Sequence, residues 1–156
     1  MGIVVPNRID SNINGVELVP LKQIVDERGK VMHMLRSDAP VFSSFGEIYF
    51  SRVLPGVVKA WKRHFRMTQY LAVPDGKILL VIFDDRDESP SKGEILKISV
   101  GQPDRYYLVK IPPMLWYGFK GLSEKWAMIA NCPDMPHDPE EVKVRSMQDT
   151  RIPYKW

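Results

Sequence analysis

Short apolar or alternating runs recur along this chain at near-regular intervals: Val16 to Leu21, Val31 to Leu35, Glu47 to Leu54, Tyr70 to Val73, Lys77 to Phe83, Ile95 to Val100, Tyr106 to Ile111 and Trp126 to Ala130. Between them stand turn-formers such as Pro55-Gly56, Pro74-Asp75-Gly76, Ser89-Pro90-Ser91-Lys92-Gly93 and Gly101-Gln102-Pro103-Asp104, which reverse a chain through a fixed or a positive φ. Many short strands at such spacing predict a sandwich or barrel. No long amphipathic helix is evident, and 13 prolines oppose one. The predicted fold is therefore all-β with few short helices. At 156 residues, 44% of them hydrophobic and with no break in composition, the chain predicts a single domain spanning residues 1–156.

Two runs say more. Ile78-Leu79-Leu80-Val81-Ile82-Phe83 is unbroken, as in a strand buried on both faces, and predicts one face on the core with a partner subunit on the other. In Glu47-Ile48-Tyr49-Phe50-Ser51-Arg52 a period of two places Glu47, Tyr49 and Ser51 on one face and Ile48 and Phe50 on the other. A polar face beside an apolar one suits a barrel lumen that holds a pocket.

A formal net charge of +3 is spread over basic residues interspersed among 19 acids, with no long basic run, so no nucleic-acid partner is expected, whereas an anionic small molecule fits the charge. The one cysteine, Cys132, cannot staple the chain to itself, which favours a reducing, cytoplasmic setting. Neither a leader nor a lipid anchor is expected, because Met1 to Ser11 lacks a basic start and a long apolar core and Pro6 stands where a myristoylation signal needs Ser or Thr. No membrane partner is expected, because no segment approaches the ~18 consecutive apolar residues that cross a bilayer.

The most informative spacing begins at Gly56: five residues, Lys62, one residue, His64, four residues, Gln69, six residues, Gly76. It resembles the first motif of the cupins, in which a glycine turn precedes a strand bearing His-x-His, an acid follows, and a second glycine closes the hairpin. The resemblance implies a double-stranded β-helix, or jelly-roll barrel. Lys62 stands for the first histidine and Gln69 for the acid, while in the second motif, Pro112 to Phe119, Tyr117 stands for another histidine. One imidazole beside an ammonium holds a transition metal poorly, so neither a metal nor any other cofactor is expected.

Further stretches resemble the dTDP-4-dehydrorhamnose 3,5-epimerases of that superfamily: Asp26-Glu27-Arg28-Gly29, Val57 to His64, Asp84-Asp85-Arg86 to Ser89-Pro90, Ile111 to Phe119, and Gln148-Asp149 to Trp156, in order across most of the chain. Glu47 to Ser51, Pro55 to Lys59 and Asn131 to Pro139 are similar to a shorter, divergent subgroup. The resemblance implies a nucleoside-diphosphate 4-keto-6-deoxysugar as partner, proton removal next to the ketone with proton return from the opposite face, and a homodimer whose N-terminal strands enter the neighbour's sheet. It places the base on Lys62, its orienting partner on Asp149 and the acid near Ala130.

Lys62 and Ala130 depart from the family residues, so His64 stands beside Lys62 as a candidate base, and Tyr117, Tyr49 or Tyr70 can supply the phenol. The candidate catalytic residues are thus Lys62, His64, Tyr117 and Asp149; Arg28, Glu47, Tyr49, Lys59, Gln69 and Trp116 are candidate substrate contacts, Trp116 because it neighbours Tyr117. Lys59 and Lys62 have opposite parity, so a shared pocket requires a bulge or an approach over the rim. Asp84, Asp85 and Arg86 are expected to close a turn. A metal-independent epimerase or isomerase in deoxysugar or surface-polysaccharide biosynthesis is the leading expectation. The alternatives are a catalytically silent sugar-nucleotide binder and a metal-dependent cupin.

Overall fold

A computed structural model describes residues 1–156. The strands are β1 (Gly2–Val4), β2 (Glu17–Pro20), β3 (Gln23–Asp26), β4 (Gly29–Met32), β5 (Tyr49–Val53), β6 (Val58–His64), β7 (Gln69–Asp75), β8 (Lys77–Phe83), β9 (Ile95–Gly101), β10 (Tyr107–Ile111), β11 (Trp116–Gly121), β12 (Ala127–Asn131) and β13 (Val142–Val144). The only helical element is a 3₁₀ turn, Pro139–Glu141. Two five-stranded antiparallel sheets, in the orders β2-β10-β7-β12-β5 and β13-β6-β11-β8-β9, face each other as a jelly roll, and β1-β3-β4 form a separate small sheet.

Alternation along each strand builds the interior. Leu71 and Val73 of β7, Ile78, Leu80 and Ile82 of β8, Tyr117 of β11 and Ile129 of β12 meet between the sheets. The opposite side of β8 is apolar as well: Val81 and Phe83 pack with Trp61, Trp116 and Ile152, and with Tyr154 and Trp156 at the margin. The expectation of a partner subunit over this face is therefore corrected, since the chain's own C-terminal segment covers it. Leu21, Tyr70, Ala72, Tyr106 and Leu108 form the corresponding cluster outside the other sheet.

Gly76, expected to close a hairpin, instead carries the chain from one sheet to the other, because β7 pairs with β10 and β12 whereas β8 pairs with β9 and β11. Its φ is +74°, and a Cβ there would lie 2.7 Å from Ala127 Cα. At Gly118 the backbone is ordinary and the crowding is lateral: a Cβ would lie 2.5 Å from Ala60 Cβ and 3.0 Å from Trp156 Cζ2. Gly118→Ala is expected to destabilise the fold by about 1–3 kcal/mol, the cost of overpacking a filled site. A drop in the urea midpoint at unchanged slope checks it, and an unshifted midpoint overturns it.

Candidate active site

The interior opens into a cavity of about 440 Å³ whose lining includes Tyr49, Ser51, Lys59, Lys62, Tyr117 and Asn131, within the size range of small-molecule sites. Strand β6 supplies both lysines through a bulge. Its register against β11 slips between Tyr117, opposite Lys62, and Gly118, opposite Ala60. The extra residue puts Ala60 and Trp61 together on the outer face, where Trp61 is fully buried against Trp156 at 5.1 Å. Lys59 and Lys62 consequently share the cavity. Of the two routes open to a shared pocket, the chain takes the bulge. Lys59 Nζ donates to the Arg52 carbonyl at 2.7 Å, which ties β6 to β5, while Lys62 is exposed at the mouth.

Deeper in lies a polar network. Tyr117 donates its hydroxyl proton to Gln69 Oε1 at 3.0 Å. Asn131 Nδ2 donates to the same oxygen at 2.8 Å and to Tyr49 Oη at 2.7 Å. Asn131 Oδ1 is buried without a partner, an acceptor available to a ligand hydroxyl. The three candidate phenols are thereby distinguished. Tyr70 lies outside the barrel and donates to the Val41 carbonyl at 2.7 Å. The Tyr117 proton is committed to Gln69, and burial pushes that phenol far up from its ordinary value. Tyr49 lines the cavity and receives Asn131 through its oxygen, so its own proton is uncommitted. Burial also raises the Tyr49 phenol, with Glu47 adding to the shift against the Asn131 hydrogen bond, which keeps it protonated at neutral pH.

His64 sits two residues beyond Lys62, buried to 8% exposure, its ring nearly parallel to that of Tyr117 with centroids 6.2 Å apart. Its Nδ1 is hydrogen-bonded to Glu141 Oε1. Glu141, 2% exposed in the 3₁₀ turn, also accepts the backbone N–H groups of Arg66 and Met67 through Oε2, each at 3.1 Å. Burial opposes its ionisation, but the bonds from His64, Arg66 and Met67 outweigh that and hold the carboxyl below its ordinary value. Glu141 escapes sequence reasoning because it lies 77 residues from His64 in an acidic, Pro-rich turn that reads as surface.

Other candidates lie elsewhere. The Asp149 carboxylate faces Arg151 at 2.6 Å and Arg145 at 3.9 Å, so the expected pairing with Lys62 is not made. Trp116 alternates with Tyr117 and so points outward, donating Nε1 to Asp85 Oδ2 at 3.1 Å beneath the guanidinium groups of Arg63 and Arg145; its expected place in the pocket is corrected by strand parity. Arg28 is exposed at the β3–β4 turn and pairs with Asp26 at 2.6 Å, outside the cavity. Glu47 Oε2 accepts the His137 N–H at 2.7 Å, bracing the segment that leads into β5. No three His, Cys, Asp or Glu side chains are grouped so that they could hold a metal ion.

Comparison with known proteins agrees with this architecture. A probable low-salt glycan biosynthesis epimerase of Haloferax volcanii is 34% identical over 145 residues, 92% of this chain and 89% of that protein. A spore coat polysaccharide biosynthesis protein of Bacillus subtilis strain 168 is 28% identical over 146 residues, 92% of this chain and 96% of its own. The crystal structure of a dTDP sugar isomerase from Desulfovibrio desulfuricans G20 superposes with a TM-score of 0.92 at 48% identity, covering 95% of this chain and 94% of the other. The sequence profile of the dTDP-4-dehydrorhamnose 3,5-epimerases matches residues 10–156, and with the jelly roll and its bulged β6 in place, the chain belongs to that family.

Proposed function

We propose that this chain is a sugar-nucleotide epimerase or ketoisomerase that, without a metal, removes a proton next to the ketone of a nucleoside-diphosphate 4-keto-6-deoxysugar. One observation carries the reading: a single cavity joins two cationic side chains, Lys59 and Lys62, to a phenol with an uncommitted proton, Tyr49. The ammonium groups suit the diphosphate, and the phenol suits proton return. The names of the similar proteins support dTDP as the nucleotide and glycan or polysaccharide biosynthesis as the setting. The small sheet β1-β3-β4, which exposes Ile3, Ile24 and Val31, supports a homodimer through the N-terminal strands, and the single unpaired Cys132 suits a cytoplasmic setting.

Incubation with a panel of nucleoside-diphosphate 4-keto-6-deoxysugars in heavy water tests the reaction. Deuterium is expected at a carbon flanking the ketone, with an inverted or keto-shifted sugar as product. No uptake and no new sugar across the panel overturn the reading. A wild-type chain that binds the sugar nucleotide without turnover, with binding that survives Lys62→Ala and His64→Ala, assigns a silent binder instead. Lys62→Met is expected to raise KM roughly tenfold while acting far less on kcat, as for loss of a ground-state contact; steady-state kinetics on the substrate found above checks it.

A further inference from the structure

We propose that Glu141 is a positioning residue that locks the His64 imidazole with its proton on Nδ1 and so makes Nε2 of His64, rather than Lys62, the base of this cavity. The inference rests on reading the cavity as a proton-transfer site. It starts from donor counting. Glu141 Oε2 already accepts two backbone N–H groups, from Arg66 and Met67, while Oε1 meets His64 Nδ1. An ionised carboxylate only accepts, so Nδ1 must carry the proton. In the neutral ring the lone pair is then on Nε2, at the opposite edge, which makes no hydrogen bond to the protein and is not among the buried, partnerless atoms.

Strand parity places this ring on the inner side of β6, next to Tyr117 of the cavity lining. The bulge at Ala60-Trp61 returns Lys62 to the inner face, and His64, two residues on, shares that face beside Tyr117. Glu141 reaches the ring from behind because β13, which follows its 3₁₀ turn, pairs with β6 in the register Val142 opposite His64. The ring is therefore held at one edge and free at the other. Lys62, by contrast, presents an exposed ammonium, which has three donors and no lone pair and suits a phosphate better than a carbon-bound proton.

In the step this predicts, the C–H bond beside the ketone breaks, its electron pair passes into the enolate, and the proton moves to Nε2. The imidazolium is balanced by Glu141, which stays ionised throughout. The proton leaves to water or returns to carbon, and no further reactant is needed.

Two readouts test the assignment. In the wild-type chain, ¹⁵N-labelled imidazole spectra are expected to show His64 as the Nδ1–H tautomer, the minor form of a free ring; an Nε2–H ring overturns the proposal without any substrate. In heavy-water exchange, His64→Gln is expected to lose about 10²–10⁴-fold in kcat, the range of a general base. Glu141→Gln is expected to lose roughly 10–100-fold in kcat at little change in KM, the range of an orienting partner, with part recovered in Glu141→Asp. A kcat loss in Lys62→Met as large as in His64→Gln overturns the choice of base, as does full kcat in Glu141→Gln. A wild-type chain that exchanges no 4-ketosugar overturns the functional reading, and the tautomer, read without turnover, still decides the role of Glu141.

Discussion

Asp84→Ala is expected to cost about 3–5 kcal/mol of folding stability, the range for removing one partner from a buried charge pair, and to lower Tm by on the order of 10 °C in a chain of this size. Asp84 is fully buried at the end of β8, and its carboxylate is saturated. Oδ1 accepts Arg86 Nε at 2.9 Å and the Arg86 N–H at 3.0 Å. Oδ2 accepts an Arg86 terminal nitrogen at 2.9 Å and the hydroxyls of Ser89 and Ser91, each at 2.6 Å. Through these partners the node reaches the N-terminal segment: Arg86 donates to the Asn14 carbonyl at 2.7 Å, and Ser91 Oγ accepts the Asn14 N–H at 2.8 Å. Alanine leaves the Arg86 charge and two hydroxyl donors without their acceptor, so the loss exceeds that of one hydrogen bond.

The same node sets a pH dependence. Burial opposes ionisation of Asp84, but the bonds from Arg86, Ser89 and Ser91 prevail and hold the carboxyl well below the usual carboxylate range. A depressed folded-state pKa contributes stability that is fully present above the unfolded carboxylate value, about 4, and is lost as pH falls from there towards the folded value. The stability gap between wild type and Asp84→Ala should therefore be constant from pH 8 to about 5 and narrow below about 4. Urea unfolding at several pH values measures it, and a gap as wide at pH 3 as at pH 7 excludes the carboxylate as its source.

Much of this fold was legible because apolar periodicity reports burial directly. The run Lys77 to Phe83 coincides with β8, and the alternation read from Glu47 to Arg52 correctly sends Tyr49 and Ser51 inward and the exposed Phe50 outward. What covers the second face of β8 was not legible, because periodicity says that a face is covered and not by what; Ile152 and Trp156 do it from the far end of the chain. Strand β6 escaped the pattern entirely. It reads Val-Lys-Ala-Trp-Lys-Arg-His, and the bulge that brings two lysines to one face destroys the period by which a strand is found.

The site divides along the same line. Motif spacing located Lys59, Lys62, His64, Gln69 and Tyr117 as candidates, and the fold gathers them at one end of the barrel: Lys59, Lys62 and Tyr117 line the cavity, and Gln69 and His64 adjoin Tyr117. Roles that depend on a partner distant in sequence were beyond reach. Glu141 behind His64, and Asn131 between Gln69 and Tyr49, belong to elements joined to the motif only by sheet pairing. Asp149 and Trp116 mark the complementary error: a family stretch carries Asp149 and adjacency to Tyr117 suggests Trp116, yet Asp149 pairs with Arg151 and Trp116 points outward to Asp85.

Tyr49→Phe is expected to separate the two halves of the proposed reaction. The phenol is the one tyrosine hydroxyl at the cavity whose proton is uncommitted, since Asn131 donates to its oxygen while Tyr117 donates its own proton to Gln69. Removing that hydroxyl deletes the proposed proton donor and leaves the proposed base in place. Formation of the inverted sugar should fall about 10²–10⁴-fold, the range of a general acid. Deuterium should still enter next to the ketone, because the base can exchange its proton with water and return it to the same face. The lost acceptor leaves a buried Asn131 N–H unpaired at a stability cost of about 1–3 kcal/mol, which a parallel unfolding curve registers separately from rate. Tyr117→Phe, which removes the other tyrosine hydroxyl of the cavity lining, its proton committed to Gln69, should affect inversion far less. Inversion at the wild-type rate in Tyr49→Phe, or exchange and inversion lost in equal measure, assigns the acid to another group.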